Sequence, residues 1–382
     1  MSVVLRWLKK IAVLIMKQDE LFEWPVEKQK DFLNKFGTPK DDIERSYYQY
    51  LCQAKLNGLL MSCILNIASL PMIIYYSVKK ENIQNTENVD AVFVSEGISE
   101  CVIPFELRNC LISWKIINEL KEYYTSEDRS QFIKLFKRYP FSWYFLFKCL
   151  LKIRIYSYLV HSYEPKAIVV CSEYSFTSSF LTSYCESQGR LHINIMHGEK
   201  LFYIRDSFFR FHRCYIWSNF YIKLFEVLKA DKKQFIISLP QSMLLGDGSK
   251  HYKEVDYTYY LGRENKIILI AILNALQKLK EKGFMVAIRP HPRYSNINEI
   301  RSIFYSSNIE IECIDKIPIS KSILRTKNVV SLYSTVLNQA YHSNVCIVID
   351  NVSNPQRYLK LKDLQYIMLE MNHKLLSTEI RG

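Results

Sequence analysis

Glycine and proline are scarce, 10 and 11 residues in 382, so disordered or low-complexity tracts are not expected and most of the chain should be ordered. The 10 cysteines (Cys52, Cys63, Cys101, Cys110, Cys149, Cys171, Cys185, Cys214, Cys313 and Cys346) contain no C-x-x-C pair. Several, such as Cys171 and Cys346, sit inside apolar runs. That usage fits buried free thiols in a reducing compartment and speaks against a disulfide framework or a cysteine-held metal. The Gly-x-Gly-x-x-Gly fingerprint, the Walker loop, the Gly-x-Ser-x-Gly elbow and the His-Glu-x-x-His pair are all missing, which removes the signatures of dehydrogenases, P-loop enzymes, serine hydrolases and zincins. No Asp-x-Asp motif for a metal–nucleotide is evident, so no metal and no other cofactor is expected. No RGG-like tract, zinc finger or basic-aromatic repeat points to nucleic acid.

What is present is length enough for two domains, an apolar fraction of 49% and a formal charge of +13. Such a charge suits an anionic membrane surface or phosphorylated substrates, although a Lys-, Ile- and Asn-rich coding bias produces the same excess. At the start, Arg6, Lys9, Lys10 and Lys17 share one helical face, with Trp7 and aliphatic residues around the rest. That is the pattern of a helix lying on an anionic membrane, or of one docked on the protein itself. Its apolar stretch is too short for a signal peptide and lacks a small-residue cleavage site. Residues 56–76 are uncharged for a membrane-spanning length. However, Gly58, Ser62, Asn66 and Ser69 share one stripe and Pro71 interrupts the pattern. The reading adopted is a core helix to about Leu70 and a buried strand over 72–76.

Beyond this, apolar runs at 72–77, 89–94, 167–171, 191–196 and 213–217 read as strands, and a long aromatic and basic region covers about 128–160. Gly, Ser and Pro cluster past Ser238 and mark a linker. Strands are then expected near 256–261, 284–289, 309–314, 328–332 and 345–350, with helices at 264–281, 296–304, 318–325 and 335–342. Strands alternating with helices imply parallel sheets. The fold class is therefore α/β, with two Rossmann-like domains facing across a cleft. The expected division is an amphipathic membrane-associating helix over 1–20, an N-terminal Rossmann-like domain over 21–240 and a C-terminal Rossmann-like domain over 241–382.

The block Arg289-Pro-His-Pro-Arg293 follows the apolar run Phe284–Ile288. It thus falls on a loop at the carboxyl end of a strand, where open α/β sheets bind ligands. Two prolines stiffen that loop. His291, held between the guanidinium groups of Arg289 and Arg293, suits a phosphate. Ser334 and Thr335 fall at the start of the helix after the strand Val329–Leu332, where hydroxyls and free N–H groups meet an anion. Plain N-capping is the competing reading. In the first half, His197 and Glu199 follow the strand 191–196, Glu96 follows 89–94 and Glu173 follows 167–171. Each is a candidate general base, expected at the rim of the first sheet, and each is also an ordinary turn residue.

With the His-Pro loop and the later Ser-Thr pair, the sequence resembles the bacterial polysialyltransferases and lipooligosaccharide sialyltransferase-like enzymes of two-domain GT-B architecture. The resemblance is carried by short motifs, mainly within residues 165–345. It implies that His291 and Pro292 contact the phosphate and ribose of a CMP-sugar, and that Ser334 and Thr335 bind the same phosphate or the sugar carboxylate. Glu96-Gly97 has one acidic residue where that family's base motif usually has two. The Arg-Pro-His-Pro-Arg wording and the His197-Gly198 pair are also similar to the CDP-glycerol transferases of teichoic acid synthesis, in which a His-Gly histidine acts as base. The function implied is a metal-independent glycosyltransferase of bacterial surface polysaccharide (capsule, O-antigen or lipooligosaccharide). Its partners would be a nucleotide-sugar donor, CMP-linked by preference, a saccharide acceptor and the inner face of the cell membrane. Transfer of a polyol phosphate from a CDP-activated donor and a non-catalytic capsule-assembly scaffold are the alternatives.

Overall fold

The computed structural model describes residues 24–79, 87–94, 100–196 and 198–381; the segment expected to lie on the membrane, 1–20, is outside them. The described residues form two compact units. One holds those up to Met196 together with Phe202–Ser238, the other Gly198–Leu201 and the chain from Leu239 onward. Each is built on a six-stranded, wholly parallel sheet, so the expected pair of Rossmann-like α/β domains is present.

In the first unit the strands are β1 (Ala91–Val94), β2 (Trp114–Ile117), β3 (Ala167–Val170), β4 (Leu191–Ile195), β5 (Arg213–Ile216) and β6 (Phe235–Ile237), in the order β2-β1-β3-β4-β5-β6. β3 is buried throughout, as a strand covered by helices on both faces requires. The second unit has β7 (Val255–Tyr260), β8 (Val286–Arg289), β9 (Glu310–Ile311), β10 (Thr326–Ser331), β11 (Cys346–Ile349) and β12 (Lys374–Leu375), in the order β12-β11-β10-β7-β8-β9. The winding reverses between β1 and β3 in one sheet and between β7 and β10 in the other. Such switch points open a crevice at the carboxyl ends of the strands.

The helix Lys266–Glu281 shows how local chemistry sets an element. Asn265 caps its start by accepting from the Ile268 N–H. Leu269, Ile272, Leu276 and Leu279 recur at helical spacing and are buried against the sheet. Gly283, at φ 88°, ends it: its own N–H donates to Lys280 O at 2.8 Å and that of Phe284 to Leu279 O at 3.3 Å. This is the paired closure that favours glycine at the left-handed position.

Two expectations fail in the first unit. The strand over 72–76 does not form, because a single helix, Leu59–Val78, runs through Pro71. A proline there removes only the bond to the carbonyl of Ile67, and both residues lie on the exposed side. The helix end is held by the fully buried Arg154, whose Nη1 donates to Tyr76 O at 2.9 Å and Lys79 O at 3.1 Å while Nε meets Glu122 Oε2 at 3.2 Å. Nor is it a core helix, as it is mostly exposed. Among the described residues it is the one helix long and apolar enough to cross a membrane. The region 128–160 resolves into the helices Ser126–Arg138 and Trp143–Tyr163. The first of these opens with a reciprocal Thr125–Asp128 capping box.

Candidate functional site

The loop after β8 carries the first half of the site. β8 ends at Arg289, and Pro290 and Pro292 bracket His291. The His291 backbone N–H donates to Ser295 Oγ at 2.8 Å, and the Ser295 N–H returns to His291 O at 3.2 Å, closing the turn. The Arg293 backbone N–H donates to His291 Nδ1 at 3.0 Å. A backbone amide can only donate, so Nδ1 must present its lone pair and the ring proton must sit on Nε2. Tyr294 stacks on the imidazole, with centroids 4.6 Å apart. Partial burial, and then the charge of Arg293, hold the His291 pKa below its usual value. The ring is therefore a neutral, fixed, one-directional donor.

Arg289 does not flank this histidine in the way expected. Its Nη1 meets Glu312 Oε2 at 2.8 Å and its Nη2 donates to Ile317 O at 2.9 Å. The same carboxylate takes Ser322 Oγ at 2.6 Å and Arg325 Nη2 at 2.7 Å. Arg289 thus anchors the last residue of β8 to the chain beyond β9, since a buried guanidinium requires a paired carboxylate. Pro292 and Arg293 are exposed beside His291.

The second half lies after β10, on the far side of β7. Ser334 has extended backbone and caps the helix Thr335–His342, its Oγ accepting from the Val336 N–H at 3.2 Å. Tyr366, fully buried, lies against the Ser334 backbone, with its hydroxyl 3.4 Å from both N and O. Among the described residues no acceptor takes the Ser334 hydroxyl proton. Between the two halves, Gly262–Asn265 joins β7 to its helix, and the Gly262 N–H donates to Glu264 Oε1 at 2.9 Å. Burial raises the Glu264 carboxyl above its ordinary pKa. The loops bearing His291, Glu264 and Ser334 leave three neighbouring strands, β8, β7 and β10, and the last two border the switch point. Glu264 and Tyr366 were not anticipated. Gly262-Arg-Glu264 after an apolar strand was the available signal for the first, whereas Tyr366 is brought in only by tertiary packing.

Of the four candidate bases, Glu96 and His197 lie outside the described residues. Glu173, at the end of β3, is buried; Asn194 Nδ2 donates to its Oε2 at 3.1 Å, and its backbone carbonyl accepts from Gln49 at 2.9 Å. Glu199 was expected at the rim of the first sheet, but residues 198–201 belong to the second unit. Its Oε1 accepts from Asn338 Nδ2, on the helix that Ser334 caps; burial, and then the charge of Glu199, push the Tyr366 pKa up. The chain leaves the first unit after β4, adds this short segment to the second and returns. Spacing along the sequence could not show that detour.

No protein-family profile matches the sequence. No curated protein matches it either. Among solved structures the chain is similar to the wall teichoic acid polymerase TagF, at 10% identity over 88% of each chain and a TM-score of 0.42. It is also similar to a UDP-N-acetylglucosamine 2-epimerase of Neisseria meningitidis bound to UDP-GlcNAc, at 11% identity over 76% of this chain and 89% of that one, with a TM-score of 0.44. A third is an enzyme of Listeria monocytogenes described as a UDP-N-acetylglucosamine 2-epimerase, at 8% identity over 77% and 86%, with a TM-score of 0.45. The likeness is one of chain fold, at identities too low to carry residues across.

Proposed function

We propose that the second unit binds the nucleotide phosphate of an activated sugar, CMP-linked by preference, and that the chain is a metal-independent glycosyltransferase of surface polysaccharide synthesis working at the inner face of the membrane. The observation that carries this is the His291 ring, whose Nδ1 is taken by its own loop, so that its single proton is committed to Nε2. With Arg293 beside it and the Ser334–Thr335 helix start one strand beyond β7, the sheet edge offers neutral and charged donors to one anion. Glu264 would accept from a ribose hydroxyl. In the transfer, a base removes the proton of an acceptor hydroxyl, whose oxygen attacks the anomeric carbon. The glycosyl–phosphate bond breaks, and its electron pair leaves on the nucleotide phosphate. His291, Arg293 and Ser334 stabilise that charge. Glu96, Glu173, His197 and Glu199 remain the candidate bases.

Transfer of a polyol phosphate from a CDP-activated donor is the second reading. It is favoured by the packing of Gly198–Leu201, next to the His197-Gly198 pair, on the helix that Ser334 caps. Incubating the protein with CMP-sugars, CDP-glycerol and UDP-sugars, and following nucleotide release, tests both. Release of CMP together with a lengthened saccharide supports glycosyl transfer; CMP released with phosphate retained in the product supports the polyol reading. If no donor binds or turns over, both fall and the scaffold reading stands.

A further inference from the structure

The helix Leu59–Val78 is amphipathic in the inverted sense. At about 100° per residue, its exposed positions Leu60, Cys63, Ile64, Ile67, Leu70, Pro71, Ile74, Tyr75 and Val78 fall within one continuous arc, and none carries a charge. Leu60, Ile67, Ile74 and Val78 are 62–76% exposed. The polar residues face inward instead. Asn66 donates to Phe141 O at 3.0 Å and accepts from the Tyr144 N–H at 3.0 Å, which ties the helix to the start of Trp143–Tyr163. Ser69 Oγ returns its proton to Leu65 O at 2.7 Å and is buried. A water-facing helix shows the opposite distribution, and an apolar stripe about 30 Å long exceeds what a soluble surface ordinarily exposes.

We infer that this stripe is a membrane-docking surface on which the first unit lies in the lipid headgroup region, with the helix parallel to the bilayer plane. Its inner face is fastened to Trp143–Tyr163 along its length, so the helix lies on the membrane and does not span it. The surroundings match an anionic surface. The helix Ser126–Arg138, which packs on the same Trp143–Tyr163 helix, exposes Lys134 and Lys137 beside Ile133 and Phe136. Phe141, 80% exposed, stands where Asn66 holds the backbone, and Lys55 is exposed just before the helix. Exposed cations on the segments that adjoin this uncharged stripe, with the exposed Phe141 among them, suit lipid headgroups. A second copy of the chain would bring the same cations against its own. The inference is independent of the transfer reading.

Flotation of the full chain with vesicles of phosphatidylcholine and about a quarter phosphatidylglycerol tests it, at about 0.5 M NaCl so that the general pull of the +13 charge is screened. The unaltered protein should float. The pair Ile67→Glu with Ile74→Glu should lower the vesicle-bound to free ratio at least about tenfold at an unchanged melting temperature. Both positions are exposed, and should the Glu pair fail to fold, Ile67→Gln with Ile74→Gln is read in the same assay. A variant that floats like the parent, with residues 1–23 intact in both, overturns the inference. So does a parent that stays out of the vesicle fraction and forms a dimer which the variant loses.

Discussion

Both units are built on a six-stranded parallel sheet, in different strand orders, and one histidine from each shows how differently the same side chain is used. His192, on β4 of the first unit, is fully buried, with Tyr156 Oη 2.9 Å from Nε2 and Thr182 Oγ1 2.8 Å from Nδ1. Thr182 has carbonyls for its own proton, Arg210 O at 2.7 Å and Ser178 O at 3.0 Å. Nδ1–H then donates to Oγ1, and Nε2 accepts from the tyrosine. Both nitrogens are spent on the fold. His291 in the second unit spends only Nδ1, on its own loop, and keeps Nε2–H. Under the proposed reading it is the uncommitted atom on a loop at a strand's carboxyl end, and not the residue type, that sets His291 apart. The carboxylates divide in the same way. Glu312 is saturated by Arg289, Ser322 and Arg325, whereas Glu264 accepts from Gly262 and lies beside the switch point.

The largest expected effect separates support from ligand binding within the second unit. Glu312→Ala leaves two largely buried guanidinium groups, Arg289 and Arg325, without their shared partner. Breaking such a network by removing one member costs about 3–5 kcal/mol, to be read as a fall in the urea midpoint. His291→Ala should do the reverse. Turnover should fall about 100-fold, close to 2.7 kcal/mol, while the melting temperature stays nearly unchanged. A large loss of stability with activity retained would place His291 with His192, as a residue of the fold.

Acid should sharpen the same contrast by about 2 kcal/mol. Burial holds the His192 pKa down at about 3, and that of His212 below its usual value. An unfolded histidine protonates near pH 6.5, so the unfolded chain binds the proton first. The stability due to the neutral His192 is complete above pH 6.5 and is lost as pH falls towards 3. At about 1.4 kcal/mol per pH unit, the loss between pH 7 and pH 5 is about 2 kcal/mol. Stability at a series of pH values, with His192→Asn as the comparison, reads it. The depressed His291 pKa predicts a different signature: donor affinity should be level from about pH 7 to pH 8, because the ring is neutral throughout. An affinity that falls tenfold over that interval would mean an imidazolium is the binding form.

What could be read in the sequence follows the same division between local and distant causes. The strand ends bearing His291 and Ser334 were legible, because apolar runs, turn residues and caps act over a few neighbours. Gly283 as a helix stop and Thr335–His342 as a helix belong to that class. β2, β6 and β12 were missed: Trp114–Ile117 is a four-residue edge strand interrupted by Lys115, Phe235–Ile237 is three residues long and Lys374–Leu375 two, too short to show a period. The strand assigned to 72–76 failed because an uncharged run with a proline reads alike in a strand and in an exposed apolar helix. Arg289 was taken for a phosphate ligand because its partner, Glu312, comes from another strand, and Glu199 was placed on the wrong sheet because the detour of 198–201 leaves no local mark.

The smallest expected effect on stability is the most discriminating, because Ser334 has two candidate roles that predict different outcomes for one atom. As a cap, its Oγ accepts from the Val336 N–H, and Ser334→Ala should cost about 1 kcal/mol of stability. Glycine caps a helix almost as well, so Ser334→Gly should cost only a few tenths of a kcal/mol. The glycine variant nevertheless lacks the hydroxyl proton that no described residue accepts. If that proton is given to a donor phosphate, a hydrogen bond to a charged group is lost, and CMP binding should weaken by about 1.5–3 kcal/mol in a protein that melts like the parent. Titration of both variants with CMP by calorimetry, beside their melting curves, separates the roles. Equal affinity for the serine and glycine forms would return Ser334 to capping alone and leave the anion to His291 and Arg293.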